Sequence, residues 1–438
     1  MKLSRRALLG AAAMLPAATV CAEPARALTA RTLTAGTRTL DVLGKPTTVF
    51  SLVGDEGKPG LAFAPGEPFA VTFRNELSES TLLHWHGLTP PPAQDGTPGL
   101  SAAAILAGGS AEYRFPLLRP ATAWAHPLGL QQQRLLAAPI IVHAPADAAL
   151  HEQIMQLADF AFADAGELQA ALGGAEGDGE AIAYDAFLAN GRSLDDPEIR
   201  PVAAGETLRV RIINAASATG FTIETGALEA HLVAVDGNPI VPLAASSFPL
   251  ALGQRLDLLV RVPDAGAYPI IAAAEGRTDR AGLVLATRGA RVARLARQAP
   301  QQAGLLDAGF EKRLAADHRL PAMRPDRRLS IRLDGQARPY AWTITGDDLR
   351  VHAGERVELA ITNATDRAQP VHLHGHVFEV VGIGDGRMAG ALRDTVSVAA
   401  GATVTVAFDA DNPGAWLLHS THLYRLLAGM AAILSYGA

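Results

Sequence analysis

The sequence predicts an all-β protein built from three consecutive Greek-key β-sandwich domains. Two kinds of glycine marker recur three times along the 438 residues, with matched spacing in each copy. The stretches between the markers alternate apolar and polar residues with a period of two, which is typical of half-buried strands. Apolar residues make up 49% of the chain and charged residues 19%, which excludes a disordered or fibrous protein.

The first marker of each copy is a Gly-Glu pair followed by a strand-like run and then an asparagine. The run Thr207–Ile212 shows the alternation clearly. In every copy the glycine and the asparagine are nine residues apart: Gly66 and Asn75, Gly205 and Asn214, Gly354 and Asn363.

The second marker is a glycine that precedes another strand and is followed fifteen residues later by an aromatic residue. The two glycine markers are separated by 43, 48 and 47 residues in the three copies. Such matched spacing indicates three copies of one supersecondary unit. The glycine–aromatic pairs are Gly109 and Trp124, Gly253 and Tyr268, and Gly401 and Trp416.

The repeats set the predicted domain limits. We expect domain 1 at 28–147, domain 2 at 148–290 and domain 3 at 325–438. The stretch 291–324 is rich in Gln, Ala, Arg and Pro and has little strand pattern, so it is predicted to be a linker with room for a short helix.

Residues 1–27 are predicted to be a signal peptide, because Arg5-Arg6 precede an apolar run and a small-residue cleavage site. The paired arginines resemble a twin-arginine signal, which would send the folded protein to the periplasm. An ordinary export signal that happens to carry two arginines is the alternative. No other apolar run is long enough to span a bilayer, so no transmembrane segment is expected after signal removal.

Charge and cysteine content limit the function classes. The formal net charge is -6, and removal of four basic residues and one acidic residue with the signal changes it to -9. An acidic chain argues against a general nucleic-acid binder. The one cysteine, Cys21, lies in the signal, so the mature chain has no thiol, no disulfide and no cysteine-based zinc site.

Histidines occupy matched positions in the first and third repeats. In both, a His-x-His pair lies 18 and 20 residues after the first glycine marker, whereas domain 2 has Ile223 and Thr225 there. Residues two apart on a strand face the same side, and neutral imidazole is the commonest protein ligand for copper, zinc and iron. The pattern predicts a metal site between domains 1 and 3; two unrelated sets of structural histidines are the alternative. The pairs are His84 with His86 and His372 with His374. Two further histidines, His126 and His419, follow the aromatic residues of the second marker in the same two repeats.

Four histidine motifs carry a family resemblance that covers nearly the whole mature chain. In order, they resemble the copper motifs of three-domain multicopper oxidases of the laccase and cuproxidase type, which implies cupredoxin-like domains. That family holds a type 1 copper that takes electrons from substrate and a trinuclear cluster that reduces oxygen to water. The motifs are His84-Trp85-His86-Gly87, Trp124-Ala125-His126-Pro127, Pro370-Val371-His372-Leu373-His374-Gly375-His376 and Trp416-Leu417-Leu418-His419.

The resemblance implies a reduced trinuclear cluster. His84 and His372 match the two type 2 ligands, and four type 3 ligands are matched by His86, His126, His374 and His419. Leu128 and Thr421 stand where two further type 3 histidines belong. Six histidines imply one or two copper ions, with zinc as an alternative because it needs only nitrogen donors.

The same resemblance implies that the type 1 site is lost. Gln369, Ser420 and Arg425 replace its histidine, cysteine and second histidine, and only Met430 matches the family. A blue copper site needs a soft thiolate, whereas serine is a hard, protonated ligand and arginine is a permanent cation. We therefore predict no blue copper, and core packing for Met430.

Three further residues have two interpretations each. Asp95 resembles the family's proton-relay carboxylate, although an ordinary turn carboxylate fits equally well. His422 follows a lost ligand position and could substitute for the missing imidazole, although strand alternation turns it the wrong way. His376 lies on the face of the other motif histidines but is not a family ligand, so a structural role is expected.

Three functions are compatible with the sequence. The first is an exported copper-binding protein with residual or altered oxidoreductase activity, which would use oxygen and a small reductant. The second is a metal-free scaffold with a periplasmic protein partner, similar to the copper-free cell-division protein of the same superfamily. The third is a copper or zinc buffer, which the lack of a Met-rich insertion disfavours.

Overall fold

The computed structural model describes residues 30–173, 182–337 and 340–437. The predicted signal peptide and Cys21 lie outside the described residues. Six β-sheets follow one another in pairs along the chain, and each pair encloses its own hydrophobic core. The prediction of three β-sandwiches is thereby confirmed, and we call them the first, second and third domain; the exact limits given above remain predictions.

The first domain consists of two four-stranded sheets, ordered β2-β1-β4-β6 and β3-β8-β7-β5. Strand β5, which carries the first His-x-His motif, is only three residues long and pairs with β7. The strands are β1 (Arg31–Val42), β2 (Lys45–Gly54), β3 (Leu61–Phe63), β4 (Phe69–Asn75), β5 (His84–His86), β6 (Ser110–Phe115), β7 (Ala121–His126) and β8 (Ala138–Val142).

The second domain pairs a six-stranded sheet, β10-β9-β12-β17-β14-β15, with a five-stranded one, β11-β19-β18-β13-β16. One helix, α1 (Ala165–Gly173), leaves the sandwich after β9. The strands are β9 (His151–Phe160), β10 (Ala186–Ala189), β11 (Glu198–Val202), β12 (Thr207–Asn214), β13 (Phe221–Glu224), β14 (Glu229–Val235), β15 (Asn238–Ala244), β16 (Ser247–Leu250), β17 (Arg255–Arg261), β18 (Ala267–Ala274) and β19 (Arg280–Thr287).

The third domain contains the sheet β21-β20-β23-β29-β25-β26, with β27 attached to β25, and the sheet β22-β31-β30-β24-β28. A short helix, α2 (Leu423–Leu427), follows β30. The strands are β20 (Arg327–Gln336), β21 (Ala341–Gly346), β22 (Arg350–Val351), β23 (Arg356–Asn363), β24 (Gln369–Leu373), β25 (Phe378–Ile383), β26 (Gly386–Arg387), β27 (Leu392–Arg393), β28 (Thr395–Val398), β29 (Thr403–Asp409), β30 (Ala415–Ser420) and β31 (Ala431–Tyr436).

The repeated asparagines form the same set of hydrogen bonds in each domain. In all three, the side-chain amide nitrogen donates to backbone carbonyls on two different segments, and the amide oxygen accepts from the backbone N–H two residues later. Buried backbone groups at a strand end need such partners. The asparagines that fill this role are Asn75, Asn214 and Asn363.

Strand pairing also repeats, and it fixes where the histidine strands lie. In each domain the first strand runs parallel to the Gly–Asn strand, as β1 does to β4, β9 to β12 and β20 to β23. Strands β5, β13 and β24 occupy equivalent places beside β7, β18 and β30. The two histidine motifs therefore lie on equivalent strands, as their sequence offsets predict.

The predicted linker contains a single 3-10 turn, Glu311–Arg313, and packs against the second domain through a bridge between Ala316 and Ile240. No helix within the described ranges is long and apolar enough to cross a bilayer.

Candidate metal centre

Six histidines from the first and third domains converge in one buried place. Each is at most 4% exposed. In the first domain His84 lies directly opposite His126 across β5 and β7, and in the third His372 lies opposite His419 across β24 and β30. The remaining two, His86 and His374, are two residues beyond His84 and His372. The predicted ligand histidines are thus brought together in the same cross-strand arrangement in both domains.

The imidazole nitrogens meet in three pairs. The Nε2 atoms of His84 and His372 are 3.3 Å apart, so this pair joins the two domains. The second pair lies within the third domain, where His374 Nε2 and His419 Nε2 are 3.0 Å apart. The last pair lies within the first domain, where His86 Nδ1 and His126 Nε2 are 3.4 Å apart.

Hydrogen bonds at the other ring nitrogens indicate that the facing nitrogens carry lone pairs. The Nδ1 atoms of His84 and His372 approach the backbone carbonyls of Asp95 and Asp394 at 3.1 and 2.8 Å. His419 Nδ1 lies 2.7 Å from the backbone carbonyl of Ser420, and His126 Nδ1 lies 3.0 Å from that of Pro127. A carbonyl only accepts, so these Nδ1 atoms hold the ring protons and their Nε2 atoms are bare.

Facing lone pairs fit a metal ion. Two bare nitrogens about 3 Å apart repel each other unless a cation lies between them. Metal–imidazole bonds are about 2.0–2.1 Å long, which places two nitrogens on a tetrahedral ion about 3.3 Å apart. The observed separations of 3.0 to 3.4 Å match that value. The donor set therefore suits copper or zinc.

Among the described residues, three groups of side chains could each hold a metal ion. Within each group, the ligand atoms all lie within 4.8 Å of one another. Two of these groups contain three histidines each, and both include His84. One imidazole nitrogen cannot complete two sites at once, so full three-histidine coordination is open to only one ion at a time. The groups are His84 with His372 and His374; His84 with His86 and His126; and His86 with His372 and Asp394.

Burial favours the neutral form of His86, His126, His372, His374 and His419, which is the form that binds a metal ion. It lowers the pKa of His419 to about 3 and holds the pKa of His126 and His374 well below the ordinary value. Neighbouring imidazoles lower these pKa values further, because two charged rings cannot share the site. Protons therefore compete weakly with a metal ion here.

Asp95 lies against the centre rather than in an ordinary surface turn. Its carboxylate is 2% exposed, with Oδ2 2.8 Å from His374 Nδ1 and Oδ1 3.2 Å from His84 Nδ1. Thr97 donates its hydroxyl hydrogen to Oδ2 at 2.5 Å. Burial alone would raise the pKa of Asp95, but the His374 and His84 rings lower it well below its usual value. The carboxylate is the ionised partner of these rings.

The second domain supports the centre without supplying a histidine. Arg255, at the start of β17 and fully buried, donates to both carboxylate oxygens of Asp394 in the third domain, at 2.7 and 2.5 Å. Its Nε donates to the carbonyl of Thr122 in the first domain at 2.8 Å. Arg393 and Asp236 extend the network with a 3.0 Å ion pair. Nothing in the sequence had indicated a role for these charged residues.

Gly253 packs against the centre, in the loop that precedes β17. Its φ is +76°, and a Cβ there would lie 3.0 Å from His86 Cε1 and 2.9 Å from Thr421 Cγ2. Only glycine fits both the backbone conformation and the space. Thr421, which the resemblance matches to a type 3 histidine position, is thus next to His86 and donates its hydroxyl hydrogen to the Leu252 carbonyl at 2.8 Å. Leu128, at the other, is partly buried, and neither residue offers a nitrogen.

The four residues that the resemblance matches to type 1 positions form hydrogen bonds and apolar contacts of their own. Arg425, 6% exposed, donates to Gln369 Oε1 at 3.0 Å, and its guanidinium lies 4.4 Å from the centroid of the Trp342 ring. Ser420 Nα–H donates to the carbonyl of Met430 at 3.1 Å, and the Met430 side chain belongs to the third domain's hydrophobic core. These contacts describe a packed interior with a buried cation.

A cavity of about 360 Å³ lies between the second and third domains beside these positions. His422 and Arg425 line it together with Glu275, Arg277 and Tyr184, whereas none of the six centre histidines does so in the described part of the chain. His422 belongs to none of the three groups of close ligand atoms, and its role as a substitute ligand stays a prediction. His376 hydrogen-bonds to the His374 carbonyl and, through Nε2, to the Tyr436 hydroxyl at 2.6 Å, a packing role.

Family models match all three domains. Three models, each described as "Multicopper oxidase", match residues 34–147, 152–294 and 320–437. The chain is 32% identical over 471 residues to the multicopper oxidase MmcO of Mycobacterium tuberculosis, covering 97% of this chain and 91% of MmcO. It is 23% identical over 537 residues to a copper resistance protein A homolog of Pseudomonas syringae pv. tomato, covering 91% and 90%.

Solved structures agree in fold. Fet3p, a multicopper oxidase that functions in iron import, superposes with a TM-score of 0.79 at 18% identity, covering 92% of this chain and 90% of Fet3p. Lac15, from a marine microbial metagenome, superposes with a TM-score of 0.67 at 28% identity, covering 92% and 99%.

Proposed function

This chain belongs to the multicopper oxidase family, and from that premise we propose that it binds copper at the six-histidine centre between its first and third domains. The proposal rests chiefly on the three pairs of facing imidazole nitrogens, 3.0 to 3.4 Å apart, with their ring protons turned outward. Because His84 is shared between the two three-histidine groups, the centre holds one or two ions rather than three.

The chain's former type 1 positions bind no copper in this proposal. Gln369 and Ser420 are hard, neutral donors, and the Arg425 cation occupies the place of a ligand. Without a thiolate there is no blue copper and no electron relay from an outer substrate pocket. Ordinary laccase turnover is therefore absent or very slow.

The reaction that remains is a residual or altered oxidoreductase activity at the centre itself. Copper bound there supplies one-electron redox chemistry toward oxygen and a small reductant. The copper would be held by the six centre histidines: His84, His86, His126, His372, His374 and His419. Asp95 Oδ2 accepts a hydrogen bond from His374 Nδ1, and the Asp95 backbone carbonyl accepts one from His84 Nδ1, so Asp95 fixes the orientation of both rings. Its other carboxylate oxygen, Oδ1, accepts no hydrogen bond from the described residues and is placed to relay a proton.

The site of action proposed for the protein is the periplasm, reached through the twin-arginine-like segment at residues 1–27. That route carries folded proteins and suits a chain whose first-domain and third-domain ligands are more than 240 residues apart in sequence. A mature chain without thiols also suits an oxidising compartment.

A metal-free periplasmic scaffold is the second candidate. It is favoured by the hydrogen bond between Arg425 and Gln369, which leaves a packed, cation-bearing interior where the family has a copper. The six buried histidines with facing lone pairs disfavour a metal-free scaffold, because such a protein would be more stable with apolar residues at these positions.

Copper titration of matched histidine variants tests the proposal. His84→Ala combined with His372→Ala removes the pair that joins the two domains, and copper binding should fall at least 100-fold. His318→Ala, at a side chain that is 90% exposed, is the control and should bind as the wild type does. Unchanged copper affinity in the double variant would make the site assignment wrong. Tight zinc binding with weak copper binding would instead favour a zinc site.

A further inference from the structure

Two of the centre's histidines share a buried hydroxyl neighbour. Thr395 Oγ1 lies 2.9 Å from His86 Nε2 and 3.1 Å from His372 Nδ1. The threonine is fully buried, at the start of β28. One hydroxyl of the third domain thus touches a proposed ligand from each of the two domains.

The hydrogen-bond directions around this hydroxyl are fixed by Arg255. Arg255 donates to both oxygens of the Asp394 carboxylate, which keeps that group an acceptor. Thr395 therefore donates its hydroxyl hydrogen to Asp394 Oδ1, at 2.8 Å. The Thr395 oxygen is then left to accept from His86 Nε2–H, and the His372 Nδ1–H donates chiefly to the Asp394 carbonyl, at 2.8 Å.

This chain of donors decides which nitrogen of His86 is bare. With the ring proton on Nε2, His86 turns an unprotonated Nδ1 toward His126 Nε2, 3.4 Å away. In the opposite tautomer, His86 Nδ1–H would donate to His126 Nε2 and occupy both ligand nitrogens in one internal hydrogen bond. The pair would then be closed to a metal ion.

We propose that Thr395 and Asp394, held by Arg255, are positioning residues that fix the His86 tautomer and so keep the His86–His126 pair open to metal. The second domain, which contributes no ligand, thereby takes part in the centre through its arginine. The metal-binding consequence rests on the proposed function, whereas the tautomer is a property of the metal-free protein. The two can therefore fail separately.

Thr395→Val tests the proposal, since valine keeps the shape of threonine and removes only the hydroxyl. In metal-free protein with ¹⁵N-labelled histidine, long-range ¹H–¹⁵N correlation reports which nitrogen holds the His86 proton, with the signals assigned through a His86→Asn variant. We expect the proton on Nε2 in the wild type and a larger share of Nδ1–H in Thr395→Val, where Asp394 Oδ1, 3.3 Å from Nε2, is the one acceptor left on that side among the described residues. Copper affinity should fall about 10- to 100-fold, the usual effect of losing a group that orients a ligand.

Two further variants complete the test. Thr395→Ser keeps the hydroxyl and should restore both the tautomer and the affinity. Thr403→Val, which removes a hydroxyl paired with Thr362 at 2.9 Å on another sheet, should change neither. The proposal is overturned by a wild-type His86 proton on Nδ1, a measurement that stands even if Thr395→Val does not fold. It is equally overturned by a folded Thr395→Val in which the share of His86 protonated on Nδ1 is the same as in the wild type. If the wild type did not bind copper but had the expected His86 tautomer, only the proposed function would be overturned.

Discussion

The buried ion pair between Arg255 and Asp394 should couple the second and third domains strongly. Both side chains are at most 2% exposed, and two hydrogen bonds of 2.7 and 2.5 Å join them. Asp394→Asn leaves the Arg255 cation with only Asp236 Oδ1, 3.6 Å away, as a charged partner. Removing one member of a buried pair usually costs about 3–5 kcal/mol, and the remaining aspartate places this variant near the lower end.

A double-mutant cycle measures the coupling. Urea unfolding of the wild type, Asp394→Asn, Arg255→Met and the double variant gives four free energies of unfolding. We expect the double variant to lose about 2 kcal/mol less than the sum of the single losses, because no uncompensated charge remains in it.

An exposed pair serves as the control for this cycle. Asp334→Asn breaks a 2.8 Å ion pair with Arg332, whose side chain is 58% exposed, and should cost less than about 1 kcal/mol. Additive losses of under 1 kcal/mol each at Arg255 and Asp394 would refute the interpretation that this pair holds the domains together.

Three other predictions concern the centre and its surroundings. Asp95→Asn should weaken copper binding about 10- to 100-fold in a competition assay, since it removes the carboxylate that orients the His374 ring, and wild-type affinity would contradict this. Gly253→Ala should lower the free energy of unfolding by about 1–3 kcal/mol, because φ is +76° and the new Cβ would meet His86 and Thr421; an unchanged urea midpoint would disagree. Ser420→Cys alone should produce no intense blue absorption on copper addition, since Gln369 and Arg425 still stand where the proposal places the two missing histidines. The combination Gln369→His, Ser420→Cys and Arg425→His should produce that band. A blue single variant would refute the account of the lost site.

The fold was predictable because its signals are local and repeated. Asn75, Asn214 and Asn363 each end a strand with the same set of backbone hydrogen bonds, so their spacing from the glycine markers reflects a physical requirement. The His-x-His pairs were predictable for a similar reason, since strand alternation puts His84 and His86 on one face. The repeat also pointed to His126 and His419, which follow the aromatic residues Trp124 and Trp416 by two and three positions, and the family resemblance then matched both to type 3 ligands.

The support around the centre was not predictable from spacing. Arg255 and Asp394 are 139 residues apart in sequence, and only the packing of the second domain against the third brings them together. The His86 tautomer depends on a hydroxyl that is 309 residues away. Asp95 had two equal interpretations until its 2.8 Å contact with His374 was seen. Such contacts depend on how whole domains dock, which no local pattern encodes.

Metal content of the purified protein tests the central claim most directly. Protein would be purified from copper-supplemented cells without chelators and measured by elemental mass spectrometry, with a visible spectrum of the same sample. We expect about one to two copper ions per chain and no intense blue band, as six imidazoles without a thiolate require. A chain that holds no metal after copper loading would contradict the account and leave the metal-free scaffold in its place.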